Sequence, residues 1–113
     1  MESTAPVTKR PTASRSYIGT LNNPTGSPEE YLAAAYATSK FSYVGGQLEE
    51  GENKVPHIQF YLHCIKPMRL TQVKNTVGQE PHLEKCFVQD KANQYCLKED
   101  TRVEGPWEFG EKP

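Results

Sequence analysis

The stretch VPHIQFYLHC, residues 55–64, alternates without a break. Ile58, Phe60, Leu62 and Cys64 occupy every second position, and His57, Gln59, Tyr61 and His63 fill the places between. A β-strand sends successive side chains to opposite faces. A chain with this run is therefore committed to a sheet that rests one apolar face on a core. The other face is unusual. It carries imidazole, amide, phenol and imidazole where a solvated face ordinarily carries Lys, Glu, Thr and Ser.

The flanking sequence builds the rest of such a sheet. RSYIGTLNNP (15–24) predicts a strand that Asn22, Asn23 and Pro24 bring to a stop, because Pro lacks the ladder donor and Asn favours turns. SPEEYLAAAYATSK (27–40) predicts a helix with Ser27 as N-cap, Pro28 at the first helical position and Glu30 completing a capping box. FSYVGGQLEE (41–50) predicts a strand with Val44 and Leu48 on one face, Gln47 and Glu49 on the other. The turn GENK (51–54) makes it a hairpin with the strand at 55–64. LTQVKNTVG (70–78) predicts a short helix with Leu70, Val73 and Val77 inward and Gly78 as its stop. PHLEKCFV (81–88) predicts another strand, and DKANQYCLKED (90–100) a helix capped by Asp90. The closing TRVEGPWEFGEKP holds Gly, Pro and acids and is expected to be a tail. This order gives an α+β fold: a central antiparallel sheet, helices on one face, and an open face opposite that would carry an active site. Residues 1–14, rich in Ser, Thr and Pro, are expected to form a flexible arm, with a single folded domain over 15–110 and a tail at 111–113.

Charge matters here through its distribution. The 113 residues carry a formal net charge of −1. Residues 54–98 nevertheless hold seven bases against three acids, while 99–111 hold five acids and one Arg. A neutral total thus combines a basic middle with an acidic end. Three cysteines with no CxxC pair fit a reducing compartment better than a disulfide framework or zinc ribbon. No apolar run reaches the roughly 18 residues of a membrane span, and residues 1–16 lack the apolar region of a signal peptide.

Three groups of residues carry potential chemistry. Glu49, His57 and Gln59 share the polar face of the hairpin. Carboxylate, imidazole and amide oxygen suit Mn²⁺ or Mg²⁺ better than the thiolate cages of zinc, and three protein ligands leave positions for water or substrate. Tyr95 and Lys98, three apart on a predicted helix, lie on one face. A phenol is a weak nucleophile unassisted, and a neighbouring ammonium can stabilise its anion. Thr20 and Asn22 alternate onto one strand face, with Asn23 beside them. Hydroxyls and amides of this kind hydrogen-bond base edges and sugar–phosphate. Each group also has a plain structural reading: a polar hairpin face, a partly buried Tyr beside a solvated Lys, and a strand-ending turn.

Taken together and in order, TLNNP (20–24), PHIQ (56–59) and YCLK (95–98) resemble motifs of the replication initiators of small circular single-stranded DNA viruses, close to the circovirus type. VGQEPHLEK (77–85) and GPWEFG (105–110) are similar to their connecting sequence. The resemblance implies a HUH endonuclease domain in which Gln59 stands where many members have a second His. It implies metal ligands Glu49, His57 and Gln59, with Gln47 as competitor to Glu49, and Mn²⁺ or Mg²⁺ as cofactor. It implies Tyr95 as nucleophile and Lys98 as its helper. The substrate would be single-stranded DNA at a viral origin, a nonanucleotide in a stem-loop, with Arg15, Thr20, Asn22, Asn23 and Tyr61 binding DNA. It further implies the host cell nucleus as the place of action and an ATP-driven helicase domain in cis, although no Walker A loop occurs in these residues. Two other readings stand beside it. One is a non-catalytic single-stranded nucleic-acid platform. The other is a zinc structure from Cys64, Cys86, Cys96 and the histidines, which their scattered spacing disfavours.

Overall fold

The computed structural model describes residues 13–86 and 95–113. Five strands form one antiparallel sheet: β1 (Ser14–Asn22), β2 (Phe41–Glu50), β3 (Pro56–Met68), β4 (His82–Lys85) and β5 (Arg102–Gly110), in the order β4-β1-β3-β2-β5. Two helices, α1 (Pro28–Ala37) and α2 (Leu70–Val77), cover one face. This is the expected α+β architecture. Among the described residues no helix is long and apolar enough to cross a membrane.

The alternation of the central strand decides which side chains enter the core. Ile58, Phe60, Leu62 and Cys64 lie in one buried cluster with Tyr17 of β1, Val44 of β2, Leu32 and Ala35 of α1 and Val73 of α2. The β3 pleat is matched residue for residue by its neighbours, Leu21 to Ile58 and Gly19 to Phe60 on one side, Leu48 to Ile58 and Gly46 to Phe60 on the other. A one-residue slip would turn this set out to water, so the register is strongly fixed. Gly19 is needed here because a Cβ would collide with the Phe60 ring. Helix α1 begins at its expected N-cap, with the Glu30 N–H donating to Ser27 Oγ at 3.2 Å. Tyr31 packs edge-on against Phe60, with ring centroids 5.6 Å apart, and its hydroxyl donates to the Val77 carbonyl, joining the two helices.

Three expectations need correction. The segment expected as a tail is β5. It pairs with β2 from Tyr43 opposite Gly110 to Glu49 opposite Arg102, with Gly105 and Pro106 at an interruption between Gly46–Trp107 and Leu48–Glu104. Pro is tolerated there because β5 is an edge strand and the irregularity absorbs the missing donor. Second, the sheet face away from the helices is not wholly free. Tyr43 and Tyr61 are buried on it together with Cys96, and Ile18 and Cys86 pack alongside. Third, and in consequence, Tyr61 cannot offer its ring to a base: it is fully buried, and burial raises its phenol pKa. The predicted strand at 81–88 is described as far as Cys86, with the strand itself ending at Lys85. Asp90, the expected cap, lies outside the described residues.

Candidate functional site

The antiparallel register lays two rows of polar side chains across the second face. One runs His82, Thr20, Gln59, Gln47 through β4, β1, β3 and β2. The next runs Asn22, His57, Glu49, Arg102 through β1, β3, β2 and β5. Residues directly opposite in an antiparallel pair have Cβ atoms about 5 Å apart. The hairpin alternation that places Gln47 and Glu49 beside Gln59 and His57 therefore brings carboxylate, imidazole and amide within reach of one another.

Their hydrogen bonds fix which atoms face the opening. His57 Nδ1 is 3.2 Å from the Val55 carbonyl oxygen. Nε2 faces Glu49 Oε1 at 3.3 Å. Carbonyl and carboxylate oxygens both only accept, so each ring nitrogen meets an acceptor: a proton on Nε2 makes the second contact a hydrogen bond, and a ring with its proton on Nδ1 leaves that position to a cation. Glu49 is 2 % exposed, and a carboxylate so deeply placed is costly without a partner. Gln59 donates from Nε2 to the Gly19 carbonyl at 3.0 Å, which turns its oxygen toward Thr20, whose hydroxyl donates to it at 3.2 Å. Among the described residues no group of three His, Cys, Asp or Glu side chains is gathered, so a three-ligand set on Glu49 and His57 would need an amide such as that of Gln59. A carboxylate, an imidazole nitrogen and an amide oxygen fit a hard divalent cation such as Mn²⁺ or Mg²⁺.

Gln47, the rival of Glu49, is committed elsewhere. It is fully buried, its Nε2 donates to Glu49 Oε2 at 2.7 Å and to the Lys98 carbonyl, and its oxygen accepts from Arg102 Nε at 2.9 Å.

A cleft of about 610 Å³ opens beside these residues, lined by Thr20, Asn22, Asn23, Gly51, Glu52, Asn53, Val55, His57, Gln59 and Tyr95. The Tyr95 side chain is half-exposed, and Lys98 Nζ lies 4.4 Å from the centre of its ring. At that distance an ammonium is attracted to the ring face and sits within reach of charge developing on the phenol oxygen. Three separated segments, those of TLNNP, PHIQ and YCLK, therefore meet at one opening. Arg15 does not join them. It is exposed at the far end of β1, beyond Ser16, which pairs with His63, whereas Asn22 pairs with His57. A second cleft, of about 510 Å³, includes Lys40, Lys66, Met68 and Gln72 in its lining but no carboxylate or imidazole.

The remaining candidates are structural. His63 is bonded to Ser16 Oγ at 3.2 Å through Nδ1, and burial followed by the charge of Arg15 lowers its pKa. His82 pairs with Glu84 at 2.9 Å on the exposed strand β4. Burial pushes the thiols of Cys64 and Cys86 up to about 11 and that of Cys96 higher still.

Sequence reasoning missed Arg102 and the turn Gly51–Val55. The signal for Arg102 was Trp107 and Phe109, apolar at period two and packed against the core, but Gly105-Pro106 between them and Arg102 disguised the strand. Nothing in Gly51, Glu52 and Asn53 distinguished them from an ordinary hairpin turn.

The one-sided helical layer and the polar rows of the other face define the class: an open-faced α+β domain of the HUH and RRM-like kind. Residues 14–99 match the family model described as "Putative viral replication protein", and the chain belongs to that family. It is 42% identical over 93 residues to the Master replication protein of Subterranean clover stunt virus, covering 81% of this chain and 30% of that protein. It is 38% identical over 95 residues to the Master replication protein of Banana bunchy top virus, 83% of this chain and 30% of that one. It is 36% identical over 100 residues to the Replication-associated protein of Canary circovirus, 88% of this chain and 33% of that one. The chain thus spans about a third of the length of these curated relatives.

Proposed function

We propose that this domain nicks and rejoins single-stranded DNA at a viral replication origin, with Tyr95 as the nucleophile. The observation that carries the reading is the single cleft shared by Tyr95, His57 and Gln59, with Thr20, Asn22 and Asn23 along its wall. The DNA strand lies along that cleft. Asn22 and Asn23 hydrogen-bond base edges or sugar–phosphate, and Thr20 orients Gln59.

Tyr95 Oη attacks phosphorus. The O–P bond to tyrosine forms as the bond to the 3′ oxygen breaks, the phenol proton departs, and the leaving oxygen takes up a proton as a 3′-hydroxyl. The product is a 5′-phosphotyrosine. Attack by a 3′-hydroxyl reverses the step and joins ends, and the phosphodiester energy is retained throughout. Lys98 steadies the charge that develops on the phenol oxygen and the phosphate. Glu49, His57 and Gln59 would hold Mn²⁺ or Mg²⁺, which supplies Lewis-acid polarisation of the scissile phosphate when bound.

The test is incubation of the 113-residue chain with a labelled single-stranded oligonucleotide carrying a candidate nonanucleotide nick site, with and without Mn²⁺, followed by denaturing gels. A covalent adduct that requires Mn²⁺ and is lost in Tyr95→Phe and His57→Ala is expected. Tight binding without adduct under any metal would make the domain a binding platform instead. An adduct that survives Tyr95→Phe would name the wrong nucleophile.

A further inference from the structure

We infer that Gln47, held by Arg102, couples the metal-ligand carboxylate to the placement of the tyrosine nucleophile. The inference rests on the nuclease reading above and concerns residues that touch neither metal nor DNA.

Gln47 has no exposed surface, and both its amide N–H groups and its oxygen are bonded within the protein. One amide N–H goes to Glu49 Oε2 and the other to the carbonyl of Lys98. The oxygen takes the Nε proton of Arg102. Arg102 also donates from Nη2 to the Leu97 carbonyl at 2.8 Å, and the Thr101 carbonyl accepts from the Glu50 N–H at 3.0 Å. The chain just after Tyr95 is therefore fastened to β2 at successive points, and two of them pass through the Gln47–Arg102 pair. The backbone of β5 makes room for this arrangement. Its irregularity at Gly105 lies against Gln47, whose Cβ is 3.3 Å from where a Gly105 Cβ would sit.

This geometry has two effects. Binding Oε2 of Glu49 leaves Oε1 directed at His57 Nε2, so the carboxylate presents one chosen oxygen to the metal position. Binding the Lys98 carbonyl with the same NH₂ group makes the orientation of Glu49 and the position of the Tyr95–Lys98 turn interdependent. Swapping the amide end for end would oppose its oxygen to a carboxylate and a carbonyl, and its NH₂ to a guanidinium. The arrangement therefore has one stable sense. Groups that orient a metal ligand in this way typically change metal affinity or activity by about 10–100-fold when removed.

Gln47→Met keeps volume and removes all three bonds. Arg102→Lys keeps charge but cannot serve both Gln47 and Leu97 with a fixed fork. Each variant is compared with the wild-type chain by calorimetric titration with MnCl₂, by adduct formation at saturating Mn²⁺, and by hydrogen exchange of the Leu97–Arg102 amides with and without Mn²⁺. Circular dichroism checks folding. In the wild type, Mn²⁺ is expected to slow exchange of those amides. Gln47→Met is expected to weaken Mn²⁺ binding about tenfold, to slow adduct formation at least another tenfold, and to abolish the Mn²⁺ effect on exchange. Arg102→Lys is expected to leave Mn²⁺ affinity within about threefold while slowing adduct formation and loosening the segment. Should Gln47→Met fail to fold, Arg102→Lys carries the test alone. Wild-type Mn²⁺ binding and adduct formation with neither variant altering either, or with exchange indifferent to Mn²⁺, would overturn the coupling. A wild-type chain that neither binds Mn²⁺ nor forms adduct would overturn the nuclease reading and the coupling with it.

Discussion

The face of the sheet away from the helices has two halves built on the same strands. Toward one end, Tyr43 and Tyr61 close over Cys96 into a small second core. Toward the other, His57 and Gln59 line a cleft, with Gln47 and Glu49 buried behind them and Gln47, Glu49 and His57 bonded in a row. Both halves are well buried, yet what holds them differs. The aromatic half is held by apolar surface, with hydroxyls finding Ser16 and Glu108. The polar half is held by a directional network in which each donor has a chosen acceptor. Burial alone therefore does not separate a structural half from a chemical one. The separation lies in the chemistry of the groups: the polar half brings an imidazole nitrogen and a carboxylate oxygen, His57 Nε2 and Glu49 Oε1, within 3.3 Å of each other.

This contrast predicts that stability belongs to the aromatic half and metal response to the polar half. Tyr61→Ala should show the largest loss, about 3–5 kcal/mol by urea unfolding, a large share of a domain's marginal stability. A loss under about 1 kcal/mol would mean that the second core is not a structural unit. Tyr43→Phe removes the hydroxyl alone. The Tyr43 hydroxyl donates to Glu108 Oε1 at 2.6 Å, and that bond, ahead of Lys112, holds the Glu108 carboxyl below its ordinary 4.5. A carboxylate with a depressed pKa contributes stability above its unfolded value that fades as pH falls through the folded one. The gap between wild type and Tyr43→Phe should be about 1 kcal/mol at pH 7, allowing for the partial exposure of Glu108, and should narrow below pH 4.5. A gap independent of pH would remove the carboxylate from the bond. His57→Ala should show the smallest effect on metal-free stability, within about 1 kcal/mol. It should nonetheless lose the rise in melting temperature that Mn²⁺ gives the wild type by mass action.

The same contrast marks what the sequence could convey. Period-two alternation over 56–64 is dense and unbroken, so it placed Ile58, Phe60 and Leu62 in the core and His57 and Gln59 on the other face. The capping residues Ser27, Pro28 and Glu30 similarly located α1. Alternation reports a face, however, and not what covers it. Tyr61 has the same parity as His57 and Gln59, but it is buried by groups from other segments, Tyr43 and Cys96 among them. The choice between Gln47 and Glu49 was equally beyond parity, since both share one face. Arg102, two strands from His57, takes the amide oxygen of Gln47. That contact depends on β5, whose Gly105-Pro106 interruption suppressed the local strand signal. Site residues adjacent in sequence or on one hairpin were thus legible, and those contributed by the edge strand were not.

The edges of the sheet have a consequence of their own. An unpaired strand edge invites another chain to extend the sheet. At one side the exposed edge belongs to β4, which is only four residues long. At the other, β5 presents an interrupted backbone with Pro106 within it and Glu104 and Glu108 along it. One margin is too short to template a partner and the other is too irregular and too acidic. Two copies of this domain brought together would meet through side chains and loops, and would stay separate sheets.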